Sequence, residues 1–81
     1  MKFMDVVELI IEDTKYTKDG VHKGMHGWIC DPDNINGYYL VCFPRYGEKD
    51  DIATIPIKEK DLKVIPILYA LRNEEIEAEF E

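Results

Sequence analysis

The chain has 81 residues, of which 46% are hydrophobic and 33% charged, and its formal net charge is -7 at neutral pH. That length accommodates one small core, because a chain of this size buries only about 60% of its unfolded surface. The apolar and aromatic content excludes a disordered chain. The acidic balance counts against a duplex-DNA binder, which must neutralise phosphates. No apolar run approaches the roughly 20 residues of a membrane span.

Residues 72–81 hold five glutamates and one arginine, so -4 of the charge lies in the tail and -3 in the rest. A mildly acidic body suits solubility and a basic partner but demands neither. The first residues, Met-Lys-Phe-Met-Asp, contain no long apolar stretch, which predicts no secretory leader. With two cysteines and no leader, the expected compartment is the reducing cytoplasm.

Phe3 to Glu12 alternates at period two and is rich in β-branched residues, which predicts a strand. Phe3, Val7, Leu9 and Ile11 form the face expected to meet the core. Asp13 to Lys23 is polar with one glycine and reads as a long loop. Lys15, Lys18, Lys23 and His22 make it the one locally basic stretch.

Val21 to Phe43 is the centre of the chain. Gly24 and Gly27 flank Met25-His26 and allow a sharply bent strand or a close backbone approach. Trp28 to Cys30 reads as a short strand. Asp31 to Gly37 reads as a turn, with Asn36-Gly37 suited to left-handed backbone. Tyr38 to Phe43 is the second arm of this hairpin, ended by Pro44.

Arg45 to Asp51 reads as a charged loop. Ile52 to Ile57 is a fourth strand, which Pro56 assigns in part to a sheet edge. Lys58 to Asp61 fits a tight turn, and Leu62 to Ile65 a closing strand stopped by Pro66. Ile67 to Glu81 has no Gly or Pro and is rich in Ala, Leu and Glu. Ile67, Leu68, Leu71, Ile76 and Phe80 give a broken apolar stripe at helical spacing. The expected helix runs to about Glu77 with the last residues frayed, because the five glutamates of the tail oppose the helix dipole at that end.

Residues 6–65 resemble the SH3-like barrel group that includes KOW-type domains and related small bacterial domains. The resemblance rests on V-V-E-L-I-I-E-D in the first strand, G-V-H-K-G-M-H-G-W-I on the way into the second, G-Y-Y-L-V-C-F in the third, and I-P-I-K-E-K-D-L-K-V-I at the end. It implies a mainly β fold: a five-stranded, partly open SH3-like barrel over residues 1–66. Residues 67–81 would add a C-terminal helix and acidic tail to the same domain. Such barrels serve nucleic-acid, peptide and subunit-interface roles alike. KOW-type domains that bind RNA are usually basic in the loops before the second strand. Lys15, Lys18 and Lys23 answer to that pattern, with Tyr16 and Trp28 as aromatic partners, while the acidity of the whole chain counts against it.

His22, His26, Cys30 and Cys42 are the residue types of a tetrahedral zinc set. Their spacing, H-x3-H-x3-C-x11-C, lacks the close cysteine pair of a zinc knuckle, so ordinary half-buried cysteines are expected and no cofactor is assigned. Asp31-x-Asp33 and Asp50-Asp51 read as charged turn tips. No nucleophile, base and acid set is legible, and no phosphate-binding glycine loop precedes a helix. A non-enzyme is expected.

If Tyr39, Val41 and Phe43 point inward, then Tyr38, Leu40 and Cys42 point outward, and Trp28 and Cys30 share their parity. A patch of Trp, Tyr and Leu calls for a cover, either the C-terminal helix or a partner. The expected function is a small protein-interaction module. Its candidate contact residues are Trp28, Tyr38, Leu40 and Tyr16, and its partner another protein or a second copy, with no membrane. The alternatives are a KOW-type RNA- or ribosome-associated module using Lys15, Lys18 and Lys23, and an accessory subunit of a larger enzyme complex.

Overall fold

The computed structural model describes residues 1–80. In chain order the elements are β1 (Val6–Leu9), α1 (Thr14–Thr17), β2 (His26–Ile35), β3 (Tyr38–Phe43), β4 (Ala53–Lys58), a 3₁₀ turn (Glu59–Asp61), β5 (Leu62–Val64) and α2 (Ala70–Glu79). The strands form one antiparallel sheet in the order β4-β3-β2-β1-β5. The mainly β class, the five strands and the C-terminal helix therefore follow the sequence expectation.

Every strand feeds one core. Val7 and Leu9 of β1, Ile29 of β2, Tyr39, Val41 and Phe43 of β3, Ile57 of β4 and Leu62 of β5 are buried together. Burial of each aliphatic or Phe side chain contributes about 1.5–3 kcal/mol as an upper bound. Tyr16, Val21 and Met25, from the segment between β1 and β2, complete the cluster.

Strand β1 is shorter than the alternation suggests. Asp5 N–H bonds to the Lys2 carbonyl, and Met4 has φ 71, so the chain turns before β1 begins. Parity cannot be carried through a turn, and Phe3 is 56% exposed instead of joining the core. Val7, Leu9 and, in part, Ile11 do face it.

The stretch read as a long loop contains one helical turn. Asp13 caps it by accepting the Lys15 N–H, the usual device for an orphan donor at a helix start. The turn drives Tyr16 inward to 2% exposure, where its hydroxyl donates to Asp61 Oδ2 at 2.7 Å and accepts the Lys58 N–H at 3.1 Å. Burial, with Asp61 adding to it, raises the phenol above its ordinary value.

The hairpin is longer than expected. Strand β2 continues through the stretch read as a turn to Ile35, with pairing irregularities between Ile29 and Asp31 and between Asp31 and Ile35. Such bulges bend a strand and re-aim its side chains. The turn itself is Asn36-Gly37, both at positive φ (55 and 84), as a two-residue hairpin loop requires. Gly27 is needed for space: a Cβ there would sit 2.7 Å from the Cys42 carbonyl oxygen and 2.8 Å from Val41 Cγ1. Strand β4 is an edge strand, which agrees with the place that Pro56 suggests.

Helix α2 does not dock by an apolar stripe. Ile67 and Leu71 are 56% and 54% exposed, and only Ile76 of the helix packs against the core. The anchor is Asn73, which is fully buried. Trp28 pairs with Cys42 in the β2–β3 register, so two residues further along His26 would face Pro44. Pro44 has no N–H to offer. The Asn73 carboxamide fills the gap: its Nδ2 donates to the His26 and Pro44 carbonyls at 2.7 and 2.8 Å, and its Oδ1 accepts the His26 N–H at 2.7 Å.

Further contacts hold the same helix. Arg72 Nε donates to the Gly24 carbonyl at 2.7 Å, and Arg45 makes two bonds to the Glu77 carboxylate. Lys49 pairs with Glu74, and the His22 ring stacks on Phe80 with centroids 3.6 Å apart. Glu74 and Glu77 are thus each matched by a cation of the β3–β4 loop.

Candidate functional site

The outer face of β2, β3 and β4 is set by register. Across the strands Trp28 meets Cys42 and Thr54, Asp31 meets Leu40 and Pro56, and Tyr38 meets Lys58. Alternation along β3 sends Tyr39, Val41 and Phe43 inward and leaves Tyr38 and Leu40 half-buried on the outside. The inward and outward sets agree with those read from the period of the sequence.

Cys42 shares the outward parity but is buried. Asp51 lies against it, and the thiol donates to Asp51 Oδ2 at 2.7 Å. Burial and this carboxylate push the thiol up to about 11. Cys30 donates to the Leu40 carbonyl at 3.4 Å, and burial, joined by the Asp31 and Asp51 charges, raises its thiol too. Neither cysteine has the lowered thiol of a reactive nucleophile.

Beyond Cys42 the face opens into a groove of about 460 Å³ between the hairpin tip and β4. Ile35, Tyr38, Leu40 and Pro56 form its apolar lining, and Asp31 and Asp33 stand at its rim. Ile35 is 67% exposed. Asp31 Oδ1 accepts the Asp33 N–H at 3.0 Å. Among the described residues no ion pair reaches either aspartate. A second hollow of about 470 Å³ has Met1 and Leu62 among its lining, with Lys58, Glu59 and Lys60 of mixed charge around them.

Helix α2 leaves the groove uncovered. Its anchors, Gly24, His26 and Pro44, lie at the start of β2 and just past β3, whereas Ile35 and Tyr38 lie at the opposite end of the hairpin. Trp28 sits between the two ends, half-buried, with Phe3 edge-on to it at 6.4 Å. The structure thus brings Tyr38 and Leu40 into one groove and leaves Trp28 outside its lining. Tyr16 is a correction: as a core residue bonded to Asp61 it is not available to a partner.

Ile35, Pro56, Asp31 and Asp33 complete the groove, and sequence reasoning does not single them out as site residues. One signal is present. Ile35 is a large aliphatic residue inside a stretch that otherwise reads as a polar turn, and it lies two residues from Gly37.

Lys15, Lys18 and Lys23 are all exposed. The Lys15 ammonium lies 3.7 Å from Asp61 and 3.9 Å from Asp13. Lys18 caps α1, and Lys23 follows His22, its N–H bonded to Glu12.

The four zinc-type residues are engaged separately. His22 Nδ1 bonds to Glu12 at 2.8 Å. His26 Nδ1 accepts the Tyr69 N–H at 3.1 Å, which fixes the tautomer so that Nε2 donates to Glu8 at 3.0 Å. Among the described residues no group of three or more His, Cys, Asp or Glu is placed to hold a metal ion, and no helix is long and apolar enough to cross a membrane. No family model, curated protein or solved structure matches the chain.

Proposed function

We propose that the protein is a non-catalytic protein-interaction module, built on a sheet that curls as a partly open SH3-like barrel. The curl is supported by the core, since side chains from all five strands of one sheet meet in a single cluster. The working surface is the groove at the hairpin tip. One observation carries this: Ile35, Tyr38, Leu40 and Pro56 form an apolar groove, while α2, the element expected to cover the hairpin, is docked at its other end. Contiguous apolar surface of this kind marks interaction sites, and tyrosine is a frequent anchor in them. The cytoplasm is the compartment supported by Cys30 and Cys42, which stand as free thiols.

The test is capture from the source cells on immobilised protein, with and without nuclease, comparing the natural chain with Leu40→Asp. The expected result is a protein that co-purifies with the natural chain, persists after nuclease and is lost with Leu40→Asp. Leu40 is half-buried and points outward, so Leu40→Asp should keep the β-sheet circular dichroism. Val41→Asp, one residue along and fully buried, should unfold the chain. Capture that disappears with nuclease would instead support the RNA-associated alternative through Lys15, Lys18 and Lys23. A stable enzyme assembly among the captured proteins would identify the accessory-subunit alternative.

A further inference from the structure

The chemistry of the occupant can be read from the groove, on the footing that the groove is the interaction surface. Its lining is apolar and its only charges are the carboxylates of Asp31 and Asp33. No cation of the described residues is paired with either. The nearby Lys58 ammonium is turned to the Tyr38 ring, 5.8 Å from its centroid. An occupant must therefore bury apolar side chains against Leu40 and Pro56 and bring positive charge to the rim.

Two occupants fit poorly. A second copy related by a two-fold axis would bring its own Asp31 and Asp33 to the seam, and a chain of net charge -7 carries no complementary surplus of cations. A nucleic acid would set phosphates against the same two carboxylates. Nor is α2 a candidate, because Asn73 and Arg72 hold it at the far end of the hairpin.

We infer that the groove takes a segment of another protein that carries a lysine or arginine beside a bulky apolar residue. The apolar side chain seats between Leu40 and Pro56, and the cation meets Asp31 and Asp33. The rim charges act mainly on encounter and selectivity, and the apolar seat on residence.

A displayed library of random peptides, panned on the full chain, tests this while the partner itself is unidentified. The selected peptides are then synthesised and measured by fluorescence polarisation. They should pair Lys or Arg with Leu, Ile, Phe or Trp within a few positions. Their binding should be lost in Leu40→Asp and should weaken between low and physiological salt. Asp31→Asn with Asp33→Asn should weaken it by roughly three- to tenfold, the worth of two solvent-facing pairs. Asparagine at 31 keeps the acceptor for the Asp33 N–H, so that local bond in β2 survives. Peptides that need Leu40 but show no cation, and ignore both asparagine changes, would overturn this inference and leave the interaction surface standing. Peptides indifferent to Leu40→Asp would overturn both. Single-stranded RNA that displaces the peptides from the groove would also overturn it.

Discussion

Asn73 offers the sharpest test of how the helix is held. Its carboxamide makes three bonds to main-chain groups of His26 and Pro44 at a site with no solvent access. Asn73→Ala removes all three and strands a buried N–H and two carbonyls. Hydrogen bonds contribute about 1 kcal/mol each, and a buried group left unmade costs about 1–3 kcal/mol. With water entering the vacated volume, a loss of about 2–4 kcal/mol is expected. A domain this size has roughly 4–12 kcal/mol in all. Urea unfolding followed by circular dichroism should show the midpoint fall by about 2 M or more.

Asn73→Asp should be at least as damaging at neutral pH, because a carboxylate accepts the His26 N–H but faces two carbonyl oxygens. The carbonyls would raise its folded value above the unfolded one. The sign follows: stability is retained below about pH 4 and lost as pH rises through the folded value. Leu71→Ala, at an exposed position of the same helix, should cost less than about 0.5 kcal/mol. If Asn73→Ala costs no more than Leu71→Ala, the polar anchoring of α2 is wrong.

Two further predictions concern the hairpin. Gly27→Ala forces a Cβ against the Cys42 carbonyl and Val41, and should destabilise by about 2–4 kcal/mol. Gly47→Ala, at φ +82 in open space, should cost only about 1–2 kcal/mol of backbone strain; thermal melts of the two give the order. Cys42 should resist alkylation at pH 8 in the folded chain and react once unfolded, because its thiol titrates at about 11. The same shift makes stability fall as pH rises from about 9 to about 11, and Asp51→Asn should lessen that fall.

The fold is legible in the sequence where local pattern and burial coincide. Val7 and Leu9, the alternation Tyr39-Val41-Phe43, the Asn36-Gly37 turn and the edge position of Pro56 all follow from period or backbone chemistry. Pattern fails where a tertiary contact decides the outcome. A four-residue helix leaves too short a period to detect, so Tyr16 passes for a loop residue although Asp13 signals a cap. Phe3 carries the parity of a strand that has not yet begun. The docking of α2 escapes an amphipathic-stripe argument, which looks for Leu and Ile, whereas this helix is held by one amide filling the gap that Pro44 leaves. Half of the groove is visible in Tyr38 and Leu40. The rest needs the pairing of Leu40 with Pro56 and the extension of β2 to Ile35, which no local pattern contains.

The most direct test of the interaction surface is a residue-by-residue map by nuclear magnetic resonance. The isotope-labelled chain is titrated with the protein captured on it, and separately with single-stranded RNA. The captured protein is expected to shift or broaden the signals of Ile35, Tyr38, Leu40 and Asp31 and to leave Asn73 and Glu77 unmoved, while RNA produces little change. Perturbations centred on Lys15, Lys18 and Lys23, or on α2, with the groove signals unmoved, would contradict the assignment of the groove as the interaction surface.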